Sequence, residues 1–195
     1  VETLEQRQLL AGPQLIGIQP NEGALIVDGS VREVSPRLLT FRFDENQQIS
    51  AATTDAIQIT RAGEDGLFAT PDDVRIALPA GSVEVNPQAG NEVLVRFPNA
   101  LVDDQYRIEV FAFDDPGAGI VGLRNTDANG NPGDLLIPSV AGARKETVDF
   151  ELRLGALVEA VVPQPVVRLP GGELEQRRDQ IVVYFNEDEL FLEND

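Results

Sequence analysis

There is no cysteine anywhere in this sequence, and no histidine. Without thiols there is neither a disulfide framework nor a thiolate site. Without imidazole the commonest general base and the commonest zinc ligand are both missing. The lack of cysteine does not fix a compartment, because bacterial surface proteins often lack it too. No apolar run approaches the ~18 residues that a membrane-spanning helix needs, so no membrane insertion is expected in this segment. No basic-then-apolar signal peptide opens the chain; a secreted protein would have lost it or would carry it upstream. Positive charge is scarce as well, with 15 Lys and Arg against 33 Asp and Glu and a formal net charge of -18. Such a field repels polyanions, so no nucleic-acid partner is expected. Clustered carboxylates would favour hard divalent cations instead.

What the chain does have is short apolar segments between turn signals. Hydrophobic residues make up 42% of its 195 residues, enough for a real core, and 13 Pro and 17 Gly interrupt the sequence at short intervals. LLTFRF, AIQIT, DVRIAL, SVEVN, EVLVRF, YRIEVFAF, VDFELRL, PVVRL and QIVVYF alternate or are rich in β-branched and aromatic residues, as strands are. PNEG, GEDG, TPDD, NPQAGN, DDPGAG, DANGNPGD and PGG separate them, with the residue types that turns require. Many short strands with frequent turns predict an all-β fold, an antiparallel β-sandwich. Alternation puts Leu39, Phe41 and Phe43 inward with Thr40 and Arg42 outward, and Tyr106, Ile108, Val110 and Ala112 on one face with Phe111 and Phe113 on the other. Only VETLEQRQLLAG, residues 1–12, has helix formers, and Gly12-Pro13 stops any helix there; it reads as an N-terminal lead-in.

A repeat runs through the chain. GIQPNEGALIVDGSVREVSPRLLTFRFDENQQI and AVVPQPVVRLPGGELEQRRDQIVVYFNEDEL each carry an early proline, Pro20 or Pro163. A turn-rich segment follows, then an apolar strand ending in Phe43 or Phe185, then a polar residue and Glu45 or Glu187. From proline to glutamate the two spacings differ by one residue. This reads as the two-strand opening of one module used twice: a complete copy over 13–154 and a partial second copy over 155–195. The chain end at Asp195 then reads as a cut within a longer protein. Two alternatives stand beside it. The last segment closes a single larger sandwich, or its two strands pair with the first domain or with another chain, because an isolated hairpin is marginal in water.

Pro20-x-x-Gly23, LTFRFDE, DAIQITRAGEDG and EVLVRFPNALVDDQYRIEVF together resemble the bacterial Ig-like domains of large surface proteins and adhesins. In that family an early Pro precedes the first strand and an F-x-E-type motif ends the second. An L-x-x-G-x-Y-x-V-like segment marks the late strands; Leu101 to Ile108 fits it, with Asp104 in place of the usual Gly. LEQRQLLAG, Leu4 to Gly12, resembles the L-E-x-R-x-L-L-A motif that follows the signal region in very large extracellular proteins of planctomycete-type bacteria. The resemblance implies an Ig-like β-sandwich in a secreted or cell-surface protein, with neighbouring Ig-like repeats as its partners. The open strand edges of residues 155–195 add self-association as a further expectation. It also implies a corner tyrosine, Tyr106, whose hydroxyl reaches a nearby backbone carbonyl.

Two acidic loops are candidates for metal. Asp127, Asn129, Asn131 and Asp134 form a D-x-N-x-N-x-x-D series on a Gly-bearing loop, and Asp114 and Asp115 could add carboxylates from its other end. Calcium takes six to eight oxygens, which such a loop can supply, so Ca²⁺ is the candidate cofactor. It is not an EF-hand: Pro132 holds the sixth position and no Glu the twelfth. A solvated Asn/Asp/Gly turn is the plain alternative. The second loop, RAGEDGLFATPDDV, places Glu64, Asp65, Asp72 and Asp73 around a hairpin-like tip that carries Leu67 and Phe68; a polar hairpin tip is its plain alternative.

No Ser-His or Cys-His arrangement, phosphate-cradling Gly loop or metal–His cluster is present. A glycosidase needs two carboxylates at a set separation, and abundance alone does not supply one. The expectation is therefore a non-enzymatic structural or adhesion module, extracellular or at the cell surface. A carbohydrate- or protein-binding sandwich is the alternative, weakened for sugars because there is no Trp and only two Tyr.

Overall fold

A computed structural model describes residues 12–155 and 158–185. The lead-in motif, apart from Gly12, and the acidic end therefore lie outside the described residues. The chain divides into two units, Val1–Arg153 and Leu154–Asp195.

In the first unit β1 (Leu15–Pro20), β3 (Leu38–Phe43), β7 (Glu92–Arg96) and β6 (Val83–Val85) make one sheet, in the order β1-β3-β7-β6. The second sheet has the order β2-β11-β8-β4-β5, from β2 (Ser30–Arg32), β11 (Lys145–Leu152), β8 (Asp104–Phe111), β4 (Ile57–Arg61) and β5 (Val74–Arg75). All pairings are antiparallel except β2 with β11. A small hairpin, β9 (Arg124–Thr126) with β10 (Pro132–Leu135), stands apart, and a 3-10 turn over Ala51–Ala56 leads from β3 to β4. The protein is all-β, two open antiparallel sheets packed as a sandwich.

Strand alternation explains the packing. Ile18, Leu39, Phe41, Phe43, Val93 and Val95 from the first sheet are buried, as are Ile57, Ile59, Tyr106, Ile108, Val110, Phe150 and Leu152 from the second. Each such side chain contributes about 1.5–3 kcal/mol on burial. Arg42 faces solvent, as its place in the alternation requires. Phe111 departs from the simple pattern: it lies on the outer face of β8 yet is buried. The chain after β8 returns to it, with the Leu123 N–H donating to the Phe111 carbonyl at 2.8 Å and the Phe113 ring edge-on at 5.6 Å. Pro20 also differs from the family pattern, since it closes β1 rather than preceding it.

The second unit holds two two-stranded sheets: β12 (Val158–Pro163) with β15 (Ile181–Phe185), and β13 (Val166–Arg168) with β14 (Leu174–Gln176). Its β12–β15 ladder pairs Pro163 with Ile181, Val161 with Val183 and Val158 with Phe185, and the register slips once between Val158 and Ala160. The β1–β3 ladder pairs Pro20 with Leu39, Ile18 with Phe41 and Leu15 with Phe43, and slips between Leu15 and Gly17. Counted from each proline, the pairs and the bulge coincide.

Candidate functional site

The two acidic loops flank different hairpins. In the first, Asp127 opens the turn between β9 and β10. Its Oδ1 accepts the N–H groups of Asn129 at 2.9 Å and Asn131 at 2.8 Å, while its own N–H donates to the Asn131 carbonyl at 2.8 Å. Gly130, at φ +83°, makes the reversal possible. These bonds, led by the one from Asn131, hold the Asp127 carboxyl below the usual carboxylate range. The Asp134 N–H donates to the side-chain oxygen of buried Asn125 at 2.7 Å, which fixes the far end of the hairpin.

Asp114 and Asp115 belong to another turn. Asp115 Oδ1 caps the N–H groups of Gly117 and Ala118. Asp114 Oδ1 accepts from the Gly122 N–H at 2.9 Å, and its Oδ2 pairs with the Arg124 guanidinium at 2.6 Å. The Gly122 N–H, then Arg124, hold its carboxyl low. Arg124 also reaches the Gly133 carbonyl at 2.9 Å. A guanidinium thus occupies the place beside Asp114 where a second cation would sit.

The sequence reading gathered Asp114, Asp115, Asp127, Asn129, Asn131 and Asp134 round one ion. The structure divides them between two turns, in which the Asp127, Asp115 and Asp114 carboxylates accept backbone N–H groups and Asp114 also pairs with Arg124. Among the described residues there is no group of three or more Asp or Glu that could hold a metal ion.

In the second loop the residues between β4 and β5 form the expected hairpin, with Thr60 opposite Arg75 and Arg61 opposite Val74. Asp65, Asp72 and Asp73 accept from donors of the loop itself, Asp65 Oδ1 from the Leu67 N–H at 2.8 Å. Asp72 Oδ2 accepts the Asp65 N–H at 3.2 Å and Asp73 Oδ2 the Ala69 N–H at 2.8 Å. The Thr70 hydroxyl donates to Asp72 Oδ1 at 2.7 Å, and this bond is the leading cause that lowers the Asp72 carboxyl. Phe68, at the tip, lies under the Arg107 guanidinium at 4.1 Å. Arg107 in turn forms a two-pronged pair with Asp149, at 2.8 and 2.7 Å across β8 and β11. The tip is thereby fastened to the outer face of the sheet.

Sequence reasoning missed a concave site. An open cavity of about 410 Å³ is lined by Arg61, Val74, Arg75, Phe97, Leu101 and Tyr106 among others. The segment from Phe97 to Val102 forms one wall, and nothing in its composition marks it as one. Tyr106 closes the base, its hydroxyl donating to the Val102 carbonyl at 2.9 Å.

With this geometry in view, comparison with known proteins gives little more. No protein-family profile matches the chain, and no curated protein does. Among solved structures, PcoC, a methionine-rich copper resistance protein from Escherichia coli, is 14% identical over 73% of this chain and 100% of its own, with a TM-score of 0.40. CopC from Methylosinus trichosporium OB3b is 11% identical over 72% of this chain and 92% of its own, at 0.35. Domains 1–6 of the surface layer protein SbsC are 14% identical over 90% of this chain, which spans 19% of that one, at 0.38. These likenesses are too distant to transfer a site or an activity.

Proposed function

We propose that this chain is a non-enzymatic structural module from a larger extracellular or cell-surface bacterial protein, built of Ig-like sandwiches in series. The observation that carries this is the recurrence of one hairpin. β1–β3 and β12–β15 share their pairing and their bulge, with Phe43 and Phe185 142 residues apart in the numbering. A bulge is a specific device, kept where a module needs it, so its return at the same place supports a repeated unit. The Ig-like and planctomycete-type resemblances of the sequence, including LEQRQLLAG, agree with such a setting. The complete reading frame tests the proposal: further copies of the proline-to-glutamate pattern, spaced by roughly one module, are the expected result. A frame without them removes the serial reading.

A binding module is the second reading, favoured by the cavity beside Arg61 and Arg75. Its apolar wall and cationic rim suit a ligand with an apolar body and an acidic group. Copper, which the name of PcoC mentions, is a poor guide here: the chain has no Met, His or Cys, so the soft and imidazole ligands that copper sites use are missing.

A further inference from the structure

The turn between β9 and β10 carries a chemically reactive dipeptide. Asn129 is the one asparagine of the sequence that is followed by glycine. A side-chain carboxamide and the next backbone nitrogen are close neighbours in any chain, and glycine leaves that nitrogen unhindered because it has no Cβ. Where another residue follows, as Glu22 follows Asn21 and Ala100 follows Asn99, a side chain shields the nitrogen. Asn86 and Asn131 precede prolines, whose nitrogen has no proton to lose. Asn125 is buried, with its side chain bonded to Gln47 and to the Asp134 N–H. Asn129 and Gly130 are both exposed, and a Cβ built on Gly130 would meet nothing within 4 Å. Water therefore reaches both reacting groups.

The turn also restrains this pair. Asp127 Oδ1 accepts the N–H of Asn129 at 2.9 Å and that of Asn131 at 2.8 Å, so it fixes the backbone on either side of the Asn129–Gly130 bond. The Gly130 N–H itself donates to the Asp127 carbonyl at 3.0 Å. A nitrogen must give up its proton before it attacks, and this bond favours keeping it. The Asp127 carboxylate, in the same turn, adds a like charge that disfavours an amide anion. These effects slow the attack without preventing it, because an exposed hairpin tip opens locally at little cost.

We propose that Asn129–Gly130 is a self-modification site of this chain, converted to aspartate and isoaspartate at a rate set by the Asp127 cap. The Gly130 nitrogen loses its proton to water and bonds to the side-chain carbonyl carbon of Asn129. The carboxamide C–N bond breaks, and ammonia leaves with a proton taken from water. The cyclic imide that remains is opened by water. Opening at the side-chain carbonyl gives aspartate, and opening at the main-chain carbonyl gives isoaspartate. The sum is amide plus water to acid plus ammonia, with nothing oxidised or reduced. Isoaspartate inserts a methylene into the backbone between the two N–H groups that Asp127 Oδ1 spans, so the cap can no longer hold both. It also adds a carboxylate to a chain already at -18. The tip of the β9–β10 hairpin therefore loosens as the chain ages, whether or not the module is one of a series.

Incubation of residues 1–195 at neutral pH in heavy-oxygen water, followed by peptide mass spectrometry, is the direct test. Peptides that span Asn129 should take up one heavy oxygen and divide between aspartate and isoaspartate, the latter identified with an isoaspartyl methyltransferase. Peptides with Asn21, Asn99 or Asn125 should stay unchanged over the same time. Asp127→Ala should speed the conversion roughly tenfold, about 1.4 kcal/mol, as expected when a hydrogen bond to a charged group is lost. Asp127→Ser keeps an acceptor oxygen and should fall between the two; it reads the same effect should the alanine variant fail to fold. Asn129→Gln should abolish the signal. An Asn129 that stays intact in the folded chain while it converts in denaturant overturns the proposal. So does aspartate without isoaspartate, since that product needs no cyclic imide. An unchanged rate in both Asp127 variants overturns the role given to the cap.

Discussion

Tyr106 concentrates several demands in one side chain. Its ring is buried and stacks on Phe150, its direct partner across β8 and β11, at 5.3 Å. Its hydroxyl holds the Val102 carbonyl, which ties the loop entering β8 to the strand itself. Burial, followed by the nearby Asp104 charge, pushes its phenol up to about 12. The folded state therefore favours the neutral phenol, and this contribution is complete below the unfolded value of about 10 and lost as pH rises through the folded one. In a Tyr184→Phe background, phenolate absorbance should stay absent well past pH ~10 and then appear near 12 or with unfolding. Ionisation with an ordinary midpoint would mean that the ring is not packed as described. Tyr106→Phe keeps the stack and loses one hydrogen bond, so a cost of about 1 kcal/mol in denaturant melts is expected. The carboxylates act at the other end of the pH scale. Asp72, Asp114 and Asp127 are all held low, so their contribution is complete above the unfolded value of about 4 and is lost as pH falls through the lower folded values. Stability should hold from neutral pH down to about 5 and then decline, and Asp114→Asn should flatten the decline. With their oxygens turned onto N–H donors, EDTA should leave the melting temperature unchanged. A Ca²⁺-dependent rise that Asp127→Ala abolishes would restore the metal reading.

At the level of elements, long alternating strands were legible in the sequence, because side-chain period follows directly from backbone geometry. β3, β4, β6, β7, β8, β11 and β15 all lie where LLTFRF, AIQIT, SVEVN, EVLVRF, YRIEVFAF, VDFELRL and QIVVYF put them. Elements made by distant partners were not. β2 is three residues, Ser30–Arg32, held by parallel pairing to β11 over a hundred residues away, as Phe150 meets Ser30. β9 and β10 sit inside a stretch of turn residues, and what organises them is the reach of Arg124 and Asn125 across the hairpin. DVRIAL read as a full strand, yet the ladder with β4 covers only Val74 and Arg75. The candidate site follows the same rule. Residue types at Asp127 to Asp134 were visible, but the direction of each carboxylate depends on backbone donors that appear only once the turn is made. Turn geometry can be tested directly at Gly63. It lies at φ +80°, and a Cβ there would come within 2.6 Å of the Asp72 carbonyl and carboxylate oxygens. Gly63→Ala should therefore cost roughly 1–3 kcal/mol in chemical denaturation, while Gly66→Ala, which meets nothing, should cost only the strain of its positive φ. Equal losses would show that the approach to Asp72 is looser than described.

Over the whole molecule the dominant fact is unbalanced charge. The described ion pairs engage Arg42, Arg61, Arg96, Arg107, Arg124, Lys145, Arg153 and Arg177, each with one carboxylate. With 33 acids to 15 bases, pairing cannot exhaust the negative charge, and the surplus repels itself across the surface. Two effects then oppose each other when salt is added. Screening weakens the exposed pairs, each worth about 0–1 kcal/mol, and it weakens the long-range repulsion of the surplus. The pairs are short contacts, whereas the repulsion acts over distances comparable to the Debye length, about 10 Å at 0.1 M, so salt removes more of the second. The melting temperature of residues 1–195 should therefore rise between low salt and about 0.15 M NaCl and then level off. MgCl₂ or CaCl₂ at matched ionic strength should give the same rise if the effect is screening alone. An excess with Ca²⁺ would reveal a specific site, and a fall with NaCl would mean that the cross-strand pairs outweigh the surplus charge.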